Sequence, residues 1–563
     1  VDHERVEQIL AHTDGVPLFV EELTKSLLER PADAHGATPS VVPATLRDSL
    51  AARLDRSAAA KDIAQIGSVL GREFSLDWLQ VLSSMSPEDL AEALADLTQS
   101  GLATEHASHQ GTVYTFKHAM VQDVAYDSLL KPRRQELHAQ VVRALDERFT
   151  PVRDAQPELL ARHAAAAGLP GVAVPYWRKA SDLALQRLAL NEAAAHLSAG
   201  LVCTDAMVQG PERDQTELQL HASLGTVHML GKGWAAPEVA KAYARANELA
   251  DAADKVDEAI WPLWGVCVFH MVRGEMAQGQ AIGRRMMTVA RQSNSRKAWL
   301  VANMMHTQLC MYSGKFEQVA AHCEQVEHRY RDPKDRALIS LYSTDLRLVS
   351  MVHGSQTRWI MGDVADAAQA CAEQEAWAQS LNHPYSMAWT LTWGAMTYLH
   401  RGDVEGLLVR VQEGRRLALQ HGFAYVAAMG LIATGWARAQ QGSLAQGIEQ
   451  MQLGLAQFMD TGAGIAVPFF QTLLAEALGR ADRQREGLVL LEQAWQQTCR
   501  GGEHWHEAEL HRIRGRLLVR GPQADVVQAR ACFKRAMDVA TLQQAHSWRL
   551  RAEADLASGL MLG

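Results

Sequence analysis

The sequence predicts a mainly α-helical protein, most of which is a solenoid of paired helices. Helical spacing of apolar residues runs along almost all of the 563-residue chain. Short turns containing glycine recur at intervals of about 40 residues in the larger, C-terminal part of the chain. One short stretch instead has the alternation of a strand, and it predicts a separate domain before the repeats.

Composition restricts the function before any motif is considered. The chain is 48% hydrophobic and 21% charged, which is typical of folded rather than disordered proteins. Its net charge of −9 argues against a dedicated nucleic-acid or membrane-surface binder. The sequence has no run of roughly 20 apolar residues and no basic-then-apolar leader, so we expect a cytoplasmic protein with no membrane partner.

The cysteines indicate the same compartment. Seven of them are scattered along the chain, and no two form a C-x-x-C pair. This distribution predicts reduced, mostly buried thiols rather than a disulfide framework or a zinc site. We therefore predict that the chain has no metal-binding residues.

The first element is a turn followed by a short helix, in "HTDGVPLFVEELTKSLLER" at residues 12–30. Proline fits the first turn of a helix, because its nitrogen carries no hydrogen that needs a partner. The next segment, "PADAHGATPSVVP" at 31–43, has the composition of an exposed linker. Because the first residue is valine rather than methionine, we expect the chain to be part of a longer protein.

A small mixed domain follows the linker. "SPEDLAEALADLTQ" begins with the serine cap, proline and acidic residues of a helix start. The stretches "LATEH" and "TVYTFK" flank the polar tip "ASHQG" and predict a two-stranded hairpin. Helical spacing resumes in "HAMVQDVAYDSLL". Helices followed by a hairpin and another helix predict a winged-helix domain over residues 44–156.

The remainder, 157–563, is repetitive. Each repeat has a turn between its two helices, and the intervals between these turns are 41, 40, 88, 40 and 40 residues. The long interval divides into 48 and 40, and one further turn follows 39 residues after the last. This regularity predicts a solenoid in which each helix pair packs on the next. The turn residues are Gly233, Gly274, Gly314, Gly362, Gly402, Gly442, Asp482 and Gly521.

These helix pairs resemble tetratricopeptide repeats of a variety with about 40 residues. Four phrases resemble one bacterial group more closely: "VPATLRDSLAARLDR", "FKHAMVQDVAYDSLL", "YWRKASDLALQRLALNEAAAHLSAGL" and "RACFKRAMDVA". All four are typical of large predicted ATPases of the STAND type, which often carry a class III adenylate or guanylate cyclase domain. The resemblance implies that residues 1–30 are the C-terminal helical lid of a P-loop ATPase domain, followed by the winged helix and the repeats.

The resemblance also implies three nucleotide-binding residues. Gly15 and Pro17 of "DGVPLFVEEL" match the Gly-x-Pro turn that lines the adenine side of the site in STAND ATPases. His118 of "FKHAMVQDVA" matches the histidine of a Met-His-Asp motif that reaches the ADP β-phosphate, although Lys117 and Ala119 replace the flanking residues. The plainer alternatives are a turn that opens a helix and a histidine that caps one.

The sequence contains no complete catalytic site, and we predict no catalytic residues. "GTVHMLGKGW" at 225–234 has the wrong spacing for a phosphate-binding loop and lies in a helical repeat. In "HWHEAELH" the histidines His506 and His511 are five residues apart, whereas a metalloprotease motif needs four. ATP or ADP with Mg²⁺ is expected only in the parent ATPase. We expect most tryptophans of the repeats to be core residues: Trp261, Trp264, Trp389, Trp393 and Trp436.

Three functions remain open from the sequence. The first is the sensor region of a STAND-type signalling ATPase, with or without a cyclase, in which the repeats bind a protein or small ligand and the winged helix and lid gate an upstream ATP site. The second is an ATP-dependent transcription regulator, and the third is a free-standing repeat scaffold. The helix at 87–99 has four acidic residues and no basic one, so DNA is not an expected partner. A ligand-dependent oligomer is compatible with the first function.

Overall fold

The computed structural model describes residues 46–108, 111–252, 256–520 and 524–560. The predicted lid and linker, including Gly15 and Pro17, lie outside these residues. The chain divides into two compact units. One unit extends to Ala180 and includes Asp205–Met207, and the other consists of Ser181–Thr204 and the chain from Val208 onward.

In the part of the chain that the structure describes, the first unit combines helices with three short strands. Its elements are α1 (Leu46–Leu54), α2 (Ala58–Leu70), β1 (Glu73–Ser75), α3 (Leu76–Leu82), α4 (Pro87–Gln99), β2 (Ala103–Ser108), β3 (Gly111–Phe116), α5 (Ala119–Asp127), α6 (Lys131–Glu147), α7 (Thr150–Ala155), α8 (Pro157–Ala166) and most of α9 (Pro170–Gln186).

The strands form an antiparallel sheet in the order β1-β3-β2. The predicted hairpin is therefore confirmed, and so is the start of α4, where the Ser86 hydroxyl accepts from the Asp89 amide at 3.1 Å. The expectation of a single strand-forming stretch was wrong. β1 has only three residues, too few to show an alternating pattern. It pairs with β3, and its Phe74 side chain packs on Gly67 of α2. That this unit is a winged helix stays a prediction.

The second unit consists of helix pairs, as the repeats predict. Its helices are α10 (Leu190–Thr204), α11 (Pro211–Lys232), α12 (Pro237–Ala252), α13 (Val256–Val272), α14 (Met276–Ser293), α15 (Arg296–Tyr312), α16 (Phe316–Arg329), α17 (Ile339–Tyr342), α18 (Leu346–Met361), α19 (Val364–Ser380), α20 (Pro384–Trp389), α21 (Met396–Arg401), α22 (Val404–His421), α23 (Ala424–Gln440), α24 (Leu444–Asp460), α25 (Val467–Arg480), α26 (Gln484–Gly501), α27 (Glu507–Leu518), α28 (Val526–Leu542) and α29 (His546–Leu560). A π-helical turn, Thr390–Gly394, joins α20 to α21. No helix among the described residues is long and apolar enough to cross a membrane.

The turns explain the 40-residue period. The predicted turn residues that the structure describes all have positive φ, which ends one helix and starts its partner. A second series of positive-φ residues, at 382, 422, 462 and 502, separates successive pairs at intervals of 40 residues. The longer step before Gly362 arises from the extra chain between α16 and α18, which includes the short α17.

Later repeats of the second unit pack back onto earlier ones. The Val272 carbonyl accepts from the amides of Gly464 and Ile465 at 2.8 and 2.9 Å. The Tyr312 carbonyl accepts from the amides of His504 and Trp505 at 3.0 and 3.2 Å. We call these four hydrogen bonds the closure contacts. They join turns about 190 residues apart in sequence.

Two local features allow this close approach. A Cβ atom at Gly464 would lie 2.2 Å from the Arg273 carbonyl oxygen, so only glycine fits there. Glu503 is 2% exposed and connects the two returning turns. Both of its carboxylate oxygens lie 3.0 Å from the Ala466 amide, and one accepts from Trp505 Nε1 at 2.7 Å. Burial raises the pKa of Glu503 to about 7, although these two donors and His504 act in the opposite direction.

The raised pKa of Glu503 makes the stability of the repeats depend on pH. The protonated carboxyl is favoured in the folded state, so its contribution is complete below about pH 4.5 and is lost as the pH rises through about 7. In wild type the free energy of unfolding should fall by up to about 1.4 kcal/mol per pH unit in this interval. Glu503→Gln should remove this decline. Denaturant unfolding at several pH values, followed by tryptophan fluorescence, measures the difference between the two proteins. Glu449→Gln, at an exposed position of α24, is the control; equal pH slopes for wild type and Glu503→Gln would contradict the assignment.

Candidate functional site

A connected group of aromatic side chains lies in the interior of the second unit. Trp264, Trp389, Trp393 and Trp436 are buried, as predicted, and Trp261 is partly buried. The ring of Trp393 lies within 6.4 Å of three others, those of Tyr312, Phe470 and Trp505. Only about 40 Å³ remains free in this aromatic part. It is therefore packed core, without room for a ligand.

A larger cavity of about 350 Å³ opens beside this core. We call it the inner cavity. Its walls come from α21, α23, α25, α27 and α29, the first helices of successive repeats. Helical spacing of three and four residues brings Glu509, Arg512 and Arg516 of α27 to one wall. Arg551 and Asp555 of α29 have the same spacing and lie opposite.

Three arginines and three carboxylates form a connected ion network in the inner cavity. Arg512 donates to both oxygens of Glu509, from Nε at 2.7 Å and from Nη2 at 2.9 Å. Its Nη1 donates to Asp555 at 2.5 Å. Arg516 donates to Glu476 at 2.7 Å, and Arg551 donates to Glu509 at 3.2 Å. The three positive and three negative charges balance.

The network shifts the pKa values of Glu509 and Arg512 in the direction that favours their charged forms. Burial alone would raise the pKa of Glu509, but Arg512 and Arg551 outweigh it and hold the pKa at about 2. The pKa of Arg512 is raised, because Glu509 and Asp555 outweigh the effect of burial. The stabilisation by Glu509 is therefore present at neutral pH and is lost as the pH falls from about 4.5 towards 2.

Several nitrogen atoms of residues lining the inner cavity have no hydrogen-bond partner. They are both ring nitrogens of His506, Nε2 of His400, and the indole Nε1 of Trp436 and Trp548. Burial lowers the pKa of His506 and His400 to about 3, so both imidazoles are neutral at physiological pH. Buried polar groups in native proteins are nearly always paired, with protein, water or ligand. These nitrogens have almost no exposed surface, so they belong to the packed wall of the cavity.

A second, wider cleft of about 740 Å³ lies on the outside of the same unit. It is bordered by Lys315, Glu317 and Gln318 on one side and by Arg535 and Asp538 on the other, all of them exposed. Arg535 and Glu317 already have partners there, in Glu507 and Gln544, and all five side chains are open to solvent. The inner cavity is the better candidate site, since partly buried charges form a network on its walls beside apolar side chains.

The network should contribute strongly to the stability of the repeats. Replacing Arg512 by methionine leaves the partly buried Glu509 and Asp555 without their main partner, which we expect to lower the free energy of unfolding by about 2–3 kcal/mol at pH 7, less than for a fully buried pair. Arg483→Met is a matched control, because Arg483 makes the same two-bond pair with Glu486 three residues later, at an exposed position. Denaturant unfolding should show no measurable change for the control. Equal effects of the two substitutions would contradict the special role of the buried network.

The structure describes one of the three residues that the resemblance implicates in nucleotide binding. His118 is half-buried, follows β3, and is the residue before the first turn of α5. His118 is the N-cap residue of α5, the position that the plainer alternative gives it, although its side chain accepts no hydrogen bond from that turn. Gly15 and Pro17 lie outside the described residues, and no distance to His118 follows.

The structure also shows where the two motifs lie whose spacing is wrong for a catalytic site. Residues 225–232 lie inside α11, and Gly233 ends it, so "GTVHMLGKGW" has no strand before it. His506 precedes α27, is fully buried and lines the inner cavity, whereas His511 stacks at an angle on Trp495. The sequence signal that could have revealed the cavity is the run of charged residues at helical spacing in "EAELHRIRGR", which a solvated helix would also have.

Comparison with known proteins gives one long sequence match. The chain is 25% identical over 574 residues to an uncharacterised protein of Rhizobium meliloti (strain 1021). The match covers 98% of this chain and 54% of that protein, so the chain spans about half the length of the curated relative that it matches. No protein-family model matches the chain.

Two solved structures are similar over large parts of the chain. One is a STAND protein with a tetratricopeptide repeat sensor from Pyrococcus horikoshii, with 10% identity and a TM-score of 0.37, covering 99% of this chain and 71% of that one. The other is a Rap protein complexed with competence and sporulation factor, with 9% identity and a TM-score of 0.42, covering 67% of this chain and 99% of that one.

Proposed function

We propose that this chain is the sensor region of a STAND-type signalling ATPase and that its repeats bind a ligand in the inner cavity. The observation that carries the proposal is the cavity itself, whose walls carry the balanced ion network. A ligand with both hydrogen-bonding and charged groups, such as a short peptide or a zwitterionic small molecule, has the matching chemistry.

The position of the inner cavity provides a route from ligand to conformation. His506, at the cavity wall, is three residues from Glu503 and next to Trp505, whose amide makes one of the closure contacts. A ligand that shifts this part of the cavity wall acts on the same turn that joins the later repeats to the earlier ones. Binding would therefore favour one arrangement of the repeats over another, as a two-state sensor requires.

The upstream part of the proposal is an ATP-binding domain, with or without a cyclase, gated by the lid and the first unit. In it, Gly15 and Pro17 line the adenine side, and His118 donates to a phosphate of ADP near the amides that begin α5. ATP or ADP with Mg²⁺ belongs to that domain. The four acidic residues of α4 are all exposed, which disfavours DNA as a partner of this unit: Glu88, Asp89, Glu92 and Asp96.

Filling the inner cavity tests the coupling directly. In a protein that joins this chain to the upstream ATPase domain, Ala554→Trp places an indole at the cavity wall. We expect it to change basal ATP turnover several-fold, because the filled cavity shifts the equilibrium between the two states. Ala557→Trp, at an exposed position of α29 away from the lining, is the matched control. Turnover that stays at the wild-type rate in Ala554→Trp would contradict the sensor role.

The nucleotide role makes a separate prediction. The pure 563-residue chain should neither hydrolyse ATP nor form cyclic AMP above background, since it has no complete catalytic site in its sequence. In the longer protein, His118→Ala should speed the release of fluorescent ADP and raise basal turnover, because one phosphate donor is lost. Turnover by the pure chain would overturn the sensor assignment, and unchanged ADP release would leave His118 a structural residue.

A further inference from the structure

Three side chains with metal-binding atoms meet at one place in the second unit, away from the inner cavity. His306 and Cys310 lie four residues apart on one face of α15, and His322 comes from the neighbouring α16. One nitrogen of each histidine and the cysteine sulfur all lie within 4.8 Å of one another. Cys310 is buried, and the two histidines are half-buried.

These separations are close to those of a metal site. Zinc bonds of about 2.0–2.3 Å in a tetrahedral arrangement hold their donor atoms roughly 3.3–3.6 Å apart. Movements of about 1 Å by the side chains would bring the three donors together. The spacing of four residues is also the one that places two ligands on the same face of a helix.

Hydrogen bonds place the proton on one nitrogen of each imidazole ring and leave the other nitrogen free to bind. Nε2 of His306 lies 3.1 Å from the Gly283 carbonyl oxygen of α14, which can only accept. Nδ1 of His322 lies 2.9 Å from Oδ1 of Asn303, whose amide nitrogen donates to the Trp299 carbonyl. Each ring therefore carries its proton on the nitrogen that faces an acceptor. The opposite nitrogens, Nδ1 of His306 and Nε2 of His322, keep their lone pairs, as in metal sites where outer contacts fix the ligating nitrogen.

We propose that His306, Cys310 and His322 bind one Zn²⁺ ion, with the fourth position left to water or to Gln318. Imidazole and thiolate are the donors that zinc prefers, and a set of two histidines and one cysteine leaves one tetrahedral position open. The side-chain oxygen of Gln318 is 3.4 Å from the Cys310 sulfur. The ion would cross-link α15 to α16 two residues before Tyr312, whose carbonyl accepts two of the closure contacts. Its role is then to hold that turn in place.

The alternative is that the three side chains only pack together. The two imidazoles are stacked, with ring centroids 5.4 Å apart, which is also an ordinary core contact. The two possibilities differ in what happens when zinc is added.

Zinc binding to the metal-free chain, measured by competition with a chromogenic chelator and by elemental analysis, tests the proposal. We expect wild type to bind one Zn²⁺ per chain. Cys310→Ser and His322→Gln should each lose that equivalent or weaken it at least about tenfold. Cys371→Ser, at another buried cysteine, and His328→Gln, at an exposed position of α16, are matched controls that should bind as wild type.

Substitution by Co²⁺ adds a direct readout of the ligands. The wild-type complex should show the tetrahedral visible bands and a thiolate-to-cobalt charge-transfer band, and Cys310→Ser should lose the latter. Asn303→Ala, which frees the His322 ring, should weaken binding by about 10–100-fold while the charge-transfer band remains. Circular dichroism verifies that each variant is folded. Absence of stoichiometric binding by wild type, or binding that Cys310→Ser and His322→Gln both leave intact, would overturn the proposal.

Discussion

The arrangement of the second unit depends on two backbone carbonyl groups. Those of Val272 and Tyr312 each accept two amide hydrogen bonds from turns about 190 residues further along the chain. Buried amides need partners, and these turns find theirs on another repeat rather than in their own helices. Opening the repeats at this place therefore breaks four protein hydrogen bonds and exposes the aromatic interior to water.

The inner cavity follows from a change in the residues that the later helices direct inward. Earlier inner helices contribute rings such as Trp264 and Trp393, which exclude water and fill space. α27 and α29 contribute arginines and carboxylates instead, which are partly buried and paired with one another. Aromatic packing and ion pairing thus occur side by side in the same unit.

The sequence predicted the repeats well because their determinants are local. A positive-φ residue such as Gly274 or Gly442 ends a helix whatever lies around it, so the 40-residue period can be read from the chain. The closure contacts could not be predicted, since they depend on small rotations between repeats that accumulate over about 190 residues. β1 was missed because three residues hold no pattern. The cluster of His306, Cys310 and His322 was missed because its spacing becomes meaningful only once α15 and α16 are known to be adjacent.

Amide hydrogen exchange at residues 464, 465, 504 and 505 tests the closed arrangement most directly. These four amides donate the closure contacts, and nothing else in the fold would protect them together. The structure predicts that they exchange as slowly as amides inside α25. Exchange as fast as that of an unstructured peptide would contradict closure, and with it the inner cavity as a sensing site.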